Sequence, residues 1–309
     1  MKIYSKLAPS SGDSAVALGN FDGLHIGHQQ VISRAVAEKE HGLIPTVFTF
    51  AANPLKDLGG NPGGELITQE RKIALLEEMG VEQLYILSFS EIKDLSPEEF
   101  VSGVLEGICR AKRVCCGFNF TFGRGGHGNS TMLTELCEAR GIAVSVIEAV
   151  LSGGETISST RIRGLISSGA VDEAAKLLGR PYGYVTQVVH GRRLGRELGT
   201  PTLNQAISER LVLPRFGVYV SRVFLRGKEY IGVTNIGVKP TVGSPCALAE
   251  TWMPEYTGPD FYGETVRVDL IKFLRPEICF SGLEELKTAI LKDGEDAVHF
   301  FCESSKTES

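Results

Sequence analysis

The sequence contains no C-x-x-C pair, and its cysteines are odd in number, seven in 309 residues. A disulfide framework and a cysteine-based zinc site are therefore both disfavoured. A reducing compartment is the better expectation for such a chain. Cys115 and Cys116 stand in an apolar run, which favours buried thiols over reactive ones.

Long apolar segments are absent as well. No apolar run reaches the ~18 residues that a membrane span needs, and residues 1–14 lack the apolar centre of a signal peptide. We therefore expect a cytoplasmic protein without a membrane partner. The net charge of −5 disfavours a general nucleic-acid binder, which is usually basic. Self-association is left open.

The first 180 residues alternate between strand-like and helix-like segments. Apolar or β-branched runs predict strands at Ala15–Leu18, Ile44–Phe50, Gln83–Phe89, Arg113–Gly117 and Ile142–Ile147. Helical patterns lie between them at Gln29–Lys39, Gln69–Met79, Pro97–Cys109 and Ser130–Arg140. The alternation predicts an α/β domain with a doubly wound parallel sheet, in which ligands bind beyond the carboxyl ends of the strands.

The pattern changes near residue 180. A helix predicted over Val171–Leu178 stops at Gly179, and turns rich in Gly and Pro then separate short strand-like runs. These runs are Gly183–Val189, Gly217–Leu225, Tyr230–Asn235 and Thr265–Phe273. We predict a first domain over residues 1–180 and an antiparallel barrel or sandwich over 181–309. A final helix is predicted over Leu283–Leu291, before a polar tail.

The densest motif follows the first strand and opens a helix. It reads Gly19-Asn20-Phe21-Asp22-Gly23-Leu24-His25-Ile26-Gly27-His28. A helix start offers unpaired N–H donors and a positive dipole end to a phosphate, and the glycines let a ligand approach the backbone closely. His25 and His28 face one way and are suited to donating hydrogen bonds to phosphate oxygens. Two surface histidines on a glycine-rich turn, or metal ligation by the pair, are the alternatives.

A second motif, Ile157–Arg163, also precedes a helix. The hydroxyls of Ser159 and Thr160 are suited to capping that helix or contacting phosphate. Arg161 or Arg163 is suited to neutralising a triphosphate. A capped helix with a basic first turn is the alternative.

Together the two motifs resemble the H-x-G-H and S-T-x-x-R motifs of the nucleotidyltransferase superfamily. Two further segments, Ser96–Phe100 and Cys116–Arg124, match the pattern of one branch of it. With them, the first 180 residues resemble the adenylyltransferase module of bacterial bifunctional riboflavin kinase/FAD synthetase. The resemblance implies that the module joins FMN to the AMP of ATP.

The resemblance also implies roles for the motif residues. His25 and His28 would hold the ATP phosphates in the transition state, and Arg163 would stabilise the leaving group. The FMN phosphate would itself attack the α-phosphorus, so catalysis would rest on positioning and charge stabilisation. Contacts to nucleotide or phosphate would come from Gly19, Asn20, Phe21, Asp22, Gly23, Gly27, Asn119, Ser159, Thr160 and Arg161. One departure is the single proline, Pro54, where the family usually shows Pro-x-Pro in a loop expected to hold the flavin.

A third motif, Gly191–Asn204, is rich in Gly and Arg and is suited to folding over nucleotide phosphates. Its candidate contacts include Gly195, Arg196 and Gly199. Thr202 and Asn204 are two residues apart and point to one side of an extended segment. A hydroxyl and an amide oxygen are suitable ligands for Mg²⁺. A polar hairpin with a basic tip is the alternative.

The amino-acid sequence after this motif is similar to that of the riboflavin kinase domain, whose fold is a six-stranded antiparallel barrel. The matching segments are Leu213–Tyr219, Asn235–Thr241, Glu250, Phe261–Gly263 and Phe273–Glu277. By resemblance, Thr202 and Asn204 would hold the magnesium nucleotide, and Glu250 would be the general base on the riboflavin 5′-hydroxyl. Arg275 would lie near the flavin or its phosphate.

The kinase-like half departs from its family at two positions. Leu203 replaces a smaller alanine, and Trp252 stands where a histidine or another aromatic is common. Trp252 either packs in the barrel or lies near the flavin ring.

The leading hypothesis is therefore a bifunctional enzyme that uses Mg²⁺, ATP, riboflavin and FMN. A second hypothesis keeps only FMN adenylylation, with the barrel as a structural or regulatory flavin-binding module. A third, adenylylation of a nicotinate or pantetheine phosphate, is disfavoured because such an enzyme has no use for a kinase-like barrel.

Overall fold

A computed structural model of the protein describes residues 1–57, 59–60, 63–190, 199–241, 244–259 and 261–307. The chain divides into two compact units, Met1–Ser159 and Thr160–Ser309. Residues 160–180 belong to the second unit in this division. The predicted domain boundary at residue 180 stays a prediction.

The first unit is an alternation of strands and helices. Its strands are β1 (Lys2–Tyr4), β2 (Ser14–Leu18), β3 (Ile44–Phe50), β4 (Gln83–Leu87), β5 (Ala111–Gly117), β6 (Thr121–Phe122), β7 (Gly128–Asn129), β8 (Ala143–Ile147), β9 (Leu151–Ser152) and β10 (Glu155–Thr156). Its α-helices are α1 (Ile26–Val36), α2 (Pro54–Asp57), α3 (Gln69–Glu78), α4 (Pro97–Glu99) and α5 (Ser130–Glu138). A π-helix, Phe100–Ile108, continues α4, and 3-10 turns lie at Asp22–Leu24, Ala37–His41, Phe89–Glu91 and Arg124–Gly126.

The main sheet of this unit has the strand order β1-β4-β3-β2-β5-β8. All of its pairings are parallel. The predicted doubly wound parallel sheet is therefore confirmed, and the edge strand β1 is an addition to it. The direction of strand progression reverses between β2 and β5, so a crevice is expected at the carboxyl ends of these two strands.

Both faces of this sheet are covered by apolar layers. On β2, Ala15 and Ala17 face a core that includes residues of α1 and α3. Val16 and Leu18 face the opposite core, formed with the π-helix and α5. Strands buried on both faces read as continuous apolar runs, which is why the sequence revealed them.

The neighbouring thiols of β5 lie on opposite faces of the sheet. Cys115 and Cys116 are both fully buried, one in each core. Burial raises the pKa of Cys115 to about 12 and that of Cys116 to about 11. The expectation of buried thiols is confirmed.

The second unit is a closed antiparallel barrel with flanking helices. Its helices are α6 (Ser159–Ser168, whose first residue ends the first unit), α7 (Val171–Leu178) and α8 (Leu283–Thr307). Its strands are β11 (Tyr182–Val189), β12 (Thr202–Ala206), β13 (Gly217–Leu225), β14 (Lys228–Thr241), β15 (Ser244–Trp252) and β16 (Thr265–Arg275). They close in the order β11-β12-β15-β14-β13-β16. The predicted six-stranded barrel is confirmed.

The final helix is longer than predicted. The sequence predicted an end at Leu291, whereas α8 continues through Gly294 to Thr307. The reason is tertiary, because Phe300 and Phe301 pack with Val218 and Val220 of the barrel wall. Although α8 has 25 residues, no helix in the described part of the chain is both long enough and apolar enough to cross a membrane.

Candidate active sites

A cavity of about 690 Å³ occupies the first unit at the crevice between β2 and β5. Its walls come from the segments that follow β2, β5 and β8. The polar residues that line it include Asn20, His25, His28, Asn119 and Ser159. The structure thus brings these predicted site residues around one space.

The lining of this cavity is also rich in aromatic residues. Its walls include Phe48, Phe50, Phe89, Phe100, Phe118, Phe120 and Phe122. Neighbouring rings support one another, with Phe50 and Phe89 5.4 Å apart edge to face and Phe120 stacked on Phe122 at 5.9 Å. A lining that combines aromatic rings with polar groups suits a ligand that carries both a flat ring system and phosphate.

The segment Gly19–His28 after β2, which we call the phosphate cradle, has a strained backbone. Phe21 has a φ of 50° and Leu24 a φ of 44°, both in the left-handed region that side chains disfavour. Gly23 lies between them at 81°, where glycine has no steric penalty. Phe21 and Leu24 are each only 1 % exposed, so packing in the core holds the loop in this shape.

Glycine is required at Gly19 for a different reason. A Cβ at this position would lie 2.8 Å from the ring of Phe21. A side chain here would displace Phe21, whose backbone forms the turn.

Buried side chains brace the cradle from below. The carbonyl oxygen of Asn20 accepts hydrogen bonds from Thr49 Oγ1 at 2.9 Å and from Lys72 Nζ at 3.1 Å. The Asp22 carboxylate accepts one from the backbone N–H of Leu66 at 2.9 Å. The Ser159 hydroxyl donates to the Asp22 carbonyl at 3.0 Å. Asp22 and Ser159 therefore both shape the turn.

Sequence reasoning missed Thr49 and Lys72. Lys72 lies on α3 four residues before Leu76, and both side chains are buried. A lysine on the apolar face of an amphipathic helix was the available indication. Thr49 stands inside an apolar strand and gave none.

The two histidines of the cradle stack face to face. Their ring centroids are 3.5 Å apart and their planes differ by 18°. His25 is the N-cap of α1, where its Nδ1 accepts the backbone N–H of His28 at 3.3 Å. A neutral His25 therefore carries its proton on Nε2. The sequence predicted from the three-residue spacing that both rings would face one way, and the stacked rings do so.

The environment of His28 keeps its ring uncharged. Burial, the neighbouring His25 and the ammonium of Lys72 hold the pKa of His28 well below its usual value of 6.5. The Nδ1 atom of His28 is buried and has no hydrogen-bond partner among the described residues. A neutral imidazole can donate an N–H hydrogen bond to an oxyanion, and this bond stabilises the negative charge as it develops on the oxygen.

The remaining predicted residues of the first site lie as follows. Asn119 is exposed just beyond β5. A Cβ added to Gly27 would lie 3.2 Å from the Cε1 atom of His25. Thr160 is exposed and both Arg161 and Arg163 are half-buried on the first turns of α6. These last three belong to the second unit, and their roles stay predictions.

The two further family-like segments, Ser96–Phe100 and Cys116–Arg124, meet in one wall of the cavity. Arg124 donates to the carbonyl of Asp94 from Nε at 2.9 Å and from Nη2 at 2.6 Å. A Cβ on Gly123 would lie 2.9 Å from the ring of Pro97. Phe100 and Phe122, one from each motif, have ring centroids 5.6 Å apart. The β6–β7 hairpin is thereby held against the start of α4.

A second group of predicted residues shares one stretch of the barrel wall. Strand register places Asn204 of β12 opposite Glu250 of β15 and Thr202 opposite Trp252. Residues paired in this way project from the same face of a sheet. Thr202, Asn204 and Glu250 therefore lie on a common face. Asn204 is 5 % exposed, and its Oδ1 has no hydrogen-bond partner within the described ranges.

Arg275 has a carboxylate partner from the final helix. Its Nε and Nη2 donate to the two carboxylate oxygens of Asp293 at 3.0 and 2.6 Å. Asp293 is buried, so the pair fixes α8 to the end of β16. The ring of Trp252 also packs on α8, with its Cζ3 atom 2.4 Å from the Cβ position of Gly294.

The loop motif before β12 is only partly described. Gly195 and Arg196 lie outside the described residues. Gly199 is exposed, with a φ of +78°. A cavity of about 80 Å³ begins beside Thr202 and is lined by Leu203, Met253, Tyr256 and Phe261, among others. Leu203, the departure from the family's alanine, is thus part of a pocket wall.

Metal ligation by the histidine pair was one of the alternative interpretations of the first motif. Among the described residues, no group of three or more His, Cys, Asp or Glu side chains is placed to hold a metal ion.

Comparison with known proteins finds a match for each of the two parts of the chain. Residues 7–161 match the family model described as FAD synthetase, and residues 178–301 match riboflavin kinase. The chain is 36 % identical over 298 residues to a bifunctional riboflavin kinase/FMN adenylyltransferase of Bacillus subtilis, covering 93 % of this chain and 92 % of that one. The chain belongs to the bifunctional riboflavin kinase/FMN adenylyltransferase family.

Other members of this family and one solved structure are similar along most of the chain. A bifunctional riboflavin kinase/FMN adenylyltransferase of Listeria monocytogenes is 33 % identical, with 94 % of this chain and 93 % of that one covered. A crystal structure described as a macrolide-efflux protein from Streptococcus pneumoniae has a TM-score of 0.87 and 30 % identity. The match covers 96 % of this chain and 98 % of that one. Family membership thus extends across both units.

Proposed function

We propose that this protein makes flavin cofactors in two ATP-dependent steps. The barrel phosphorylates riboflavin to FMN, and the first unit adenylylates FMN to FAD with release of pyrophosphate. The proposal is supported by the family membership of the chain, by the cavity that Asn20, His25, His28 and Asn119 line, and by the common face of Thr202, Asn204 and Glu250. The domains assigned to these activities are residues 1–180 and 181–309.

In the adenylylation step the 690 Å³ cavity holds the substrates. The flavin ring lies against the phenylalanine wall, and the ATP phosphates lie at the cradle. A phosphate oxygen of FMN attacks the α-phosphorus of ATP, and the bond to the pyrophosphate oxygen breaks. His25 and His28 stabilise the negative charge that develops, because both side chains line the cavity before reaction begins.

In the kinase step Glu250 accepts the proton of the riboflavin 5′-hydroxyl. The resulting oxygen attacks the γ-phosphorus of ATP, and ADP leaves. Glu250 lies opposite Asn204, the residue proposed with Thr202 to contact the nucleotide's metal. The base and the phosphate site are therefore adjacent in the barrel wall.

Mg²⁺ is part of the proposal for the barrel. The buried Oδ1 of Asn204, without a hydrogen-bond partner among the described residues, fits a hard cation. Thr202 supplies a second oxygen from the same face of β12. When bound, Mg²⁺ supplies charge neutralisation on the nucleotide phosphates. We place these activities in the cytoplasm, where ATP and the flavins are available, and the proposal requires no self-association.

The proposal is tested with the purified protein, ATP and Mg²⁺. One reaction starts from riboflavin and a parallel reaction starts from FMN, and the flavins are separated by chromatography. Riboflavin should give FMN and then FAD. If FAD forms in the FMN reaction but riboflavin is not converted, the kinase half of the proposal is rejected. If riboflavin gives FMN that accumulates without FAD, the adenylylation half is rejected. No conversion in either tube would overturn the proposal.

A further inference from the structure

Lys72 of α3 is a buried cation beneath the phosphate cradle. It is 8 % exposed. Burial lowers its pKa, whereas Asp22 and Glu65 favour the charged form. A buried ammonium carries a desolvation cost that an apolar side chain of similar size would avoid. Its position therefore calls for a role beyond packing.

The ammonium of Lys72 is directed at one backbone oxygen of the cradle. Its Nζ donates to the Asn20 carbonyl at 3.1 Å. The Thr49 hydroxyl, fully buried on β3, donates to the same oxygen at 2.9 Å. Two donors from separate elements thus converge on a single acceptor, and one of them is charged.

This arrangement orients the peptide unit between Asn20 and Phe21. The peptide group is planar and trans, so the N–H of Phe21 points opposite to the Asn20 carbonyl. Asn20 lines both the 690 Å³ cavity and a small cavity of about 20 Å³, and Lys72 lines the small one. The carbonyl oxygen is held on the Lys72 side, and the N–H of Phe21 points away from Lys72.

We infer that Lys72 is a positioning residue for adenylyl transfer. Together with Thr49 it holds the Asn20 carbonyl oxygen away from the ATP phosphates, so that the cradle offers them N–H groups. A carbonyl oxygen turned toward the phosphates would repel their negative charge, and fixed N–H donors stabilise it. The inference rests on the adenylylation proposed for the first unit, and it assigns Lys72 no contact with substrate.

The test compares Lys72→Met, which removes charge and donor, with Lys72→Gln, which keeps a neutral donor. Thr49→Val removes the second donor. Thr46→Val is the matched control, because its buried hydroxyl on the same strand donates to Ile44 and not to the cradle. For each variant we measure kcat and the KM values for ATP and FMN in FAD formation. Riboflavin phosphorylation by the same preparation reports on the folded barrel, and the KM for FMN reports on the folded first unit.

Lys72→Met is expected to lower kcat/KM for ATP by about 10- to 100-fold, the size expected for loss of a charge-assisted hydrogen bond. The KM for FMN and the kinase rate should stay within about twofold, as should every parameter of Thr46→Val. Lys72→Gln should recover part of the loss, and Thr49→Val should lose about 3- to 10-fold.

Two outcomes would overturn the inference. One is wild-type kinetics for ATP in Lys72→Met. The other is a loss shared equally by FAD formation and riboflavin phosphorylation, which reports general unfolding. Absence of FAD formation in the unmodified protein is a separate result, because it rejects the proposed function itself.

Discussion

Asn204 on β12 lies directly opposite Glu250 on β15, and Glu250 lies opposite Asn235 on β14. Side chains paired in this way are typically about 5 Å apart at their Cβ atoms. The proposed metal ligand and the proposed general base are therefore neighbours by strand register. We therefore expect a nucleotide phosphate bound at Asn204 to lie within reach of the hydroxyl that Glu250 is proposed to deprotonate.

Substitution Glu250→Gln should separate the two activities. It keeps the shape of the side chain and removes the group that accepts the hydroxyl proton. Riboflavin phosphorylation should fall by roughly 10²- to 10⁴-fold, and FAD formation from FMN should be unchanged. Both rates are measured on one preparation by flavin chromatography. Glu255→Gln, at an exposed position just beyond β15, is the control that should leave both rates intact.

Substitution Asn204→Leu should weaken metal use without weakening the fold. The Oδ1 atom has no hydrogen-bond partner in the described part of the barrel, so its removal breaks no such bond of the folded chain. The Mg²⁺ concentration for half-maximal kinase rate should rise at least about tenfold. The urea midpoint should hold or rise, because an unsatisfied buried polar group is lost. An unchanged magnesium titration would argue against Asn204 as a ligand.

The ring of His28 should remain neutral below its usual pKa. Its burial, His25 and Lys72 all lower the pKa of this group. As the pH falls below about 6.5, His28 takes up a proton in the unfolded chain but stays neutral in the folded chain. The free energy of unfolding therefore decreases with falling pH. Nitrogen NMR of labelled histidine over about pH 5 to 8 measures this directly, and the His28→Gln variant identifies the resonance.

The same titration tests the charge of Lys72. Lys72→Met should raise the pKa of His28, because one nearby positive charge is removed. Lys39→Met is the control, since Lys39 pairs with Glu82 on the surface. A His28 titration that follows the usual value in the unmodified protein would contradict the burial argument.

Substitution Gly294→Ala should destabilise the barrel although alanine favours helix. The new Cβ would lie 2.4 Å from Cζ3 of Trp252, so the indole or the helix must move. Overpacking of this kind costs about 1–3 kcal/mol, against a helix-propensity gain of about 1 kcal/mol. Gly164→Ala in α6 is the matched control, because its Cβ position has no other atom within 4 Å. Chemical denaturation should show a loss for the first and none for the second.

Substitution Arg124→Met should weaken flavin binding selectively. Arg124 holds the β6–β7 hairpin to the Asp94 carbonyl, and that hairpin carries phenylalanines of the cavity wall. The KM for FMN should rise about tenfold, with little change in the KM for ATP. Arg110→Met, which breaks an exposed pair with Asp13, should change neither value. Equal effects on both substrates would reject this role.

The sequence revealed the elements whose patterns are local. The β2 run is apolar because the strand is buried on both faces, and the helix Val171–Leu178 was predicted with its bounds because Gly179 adopts the left-handed conformation that ends it. The predicted end of the final helix at Leu291 was wrong, because the packing of Phe300 and Phe301 on the barrel wall extends α8 beyond it.

The sequence by itself determined the two-part α/β and barrel organisation and the motifs at Gly19–His28 and Thr202–Asn204, because residue type and spacing are local properties. Only the tertiary structure decided that Lys72 meets Asn20 across 52 residues and that Asn204 faces Glu250. Such contacts depend on strand register and helix packing. A lysine or an asparagine carries no local mark of the distant atom that it will approach.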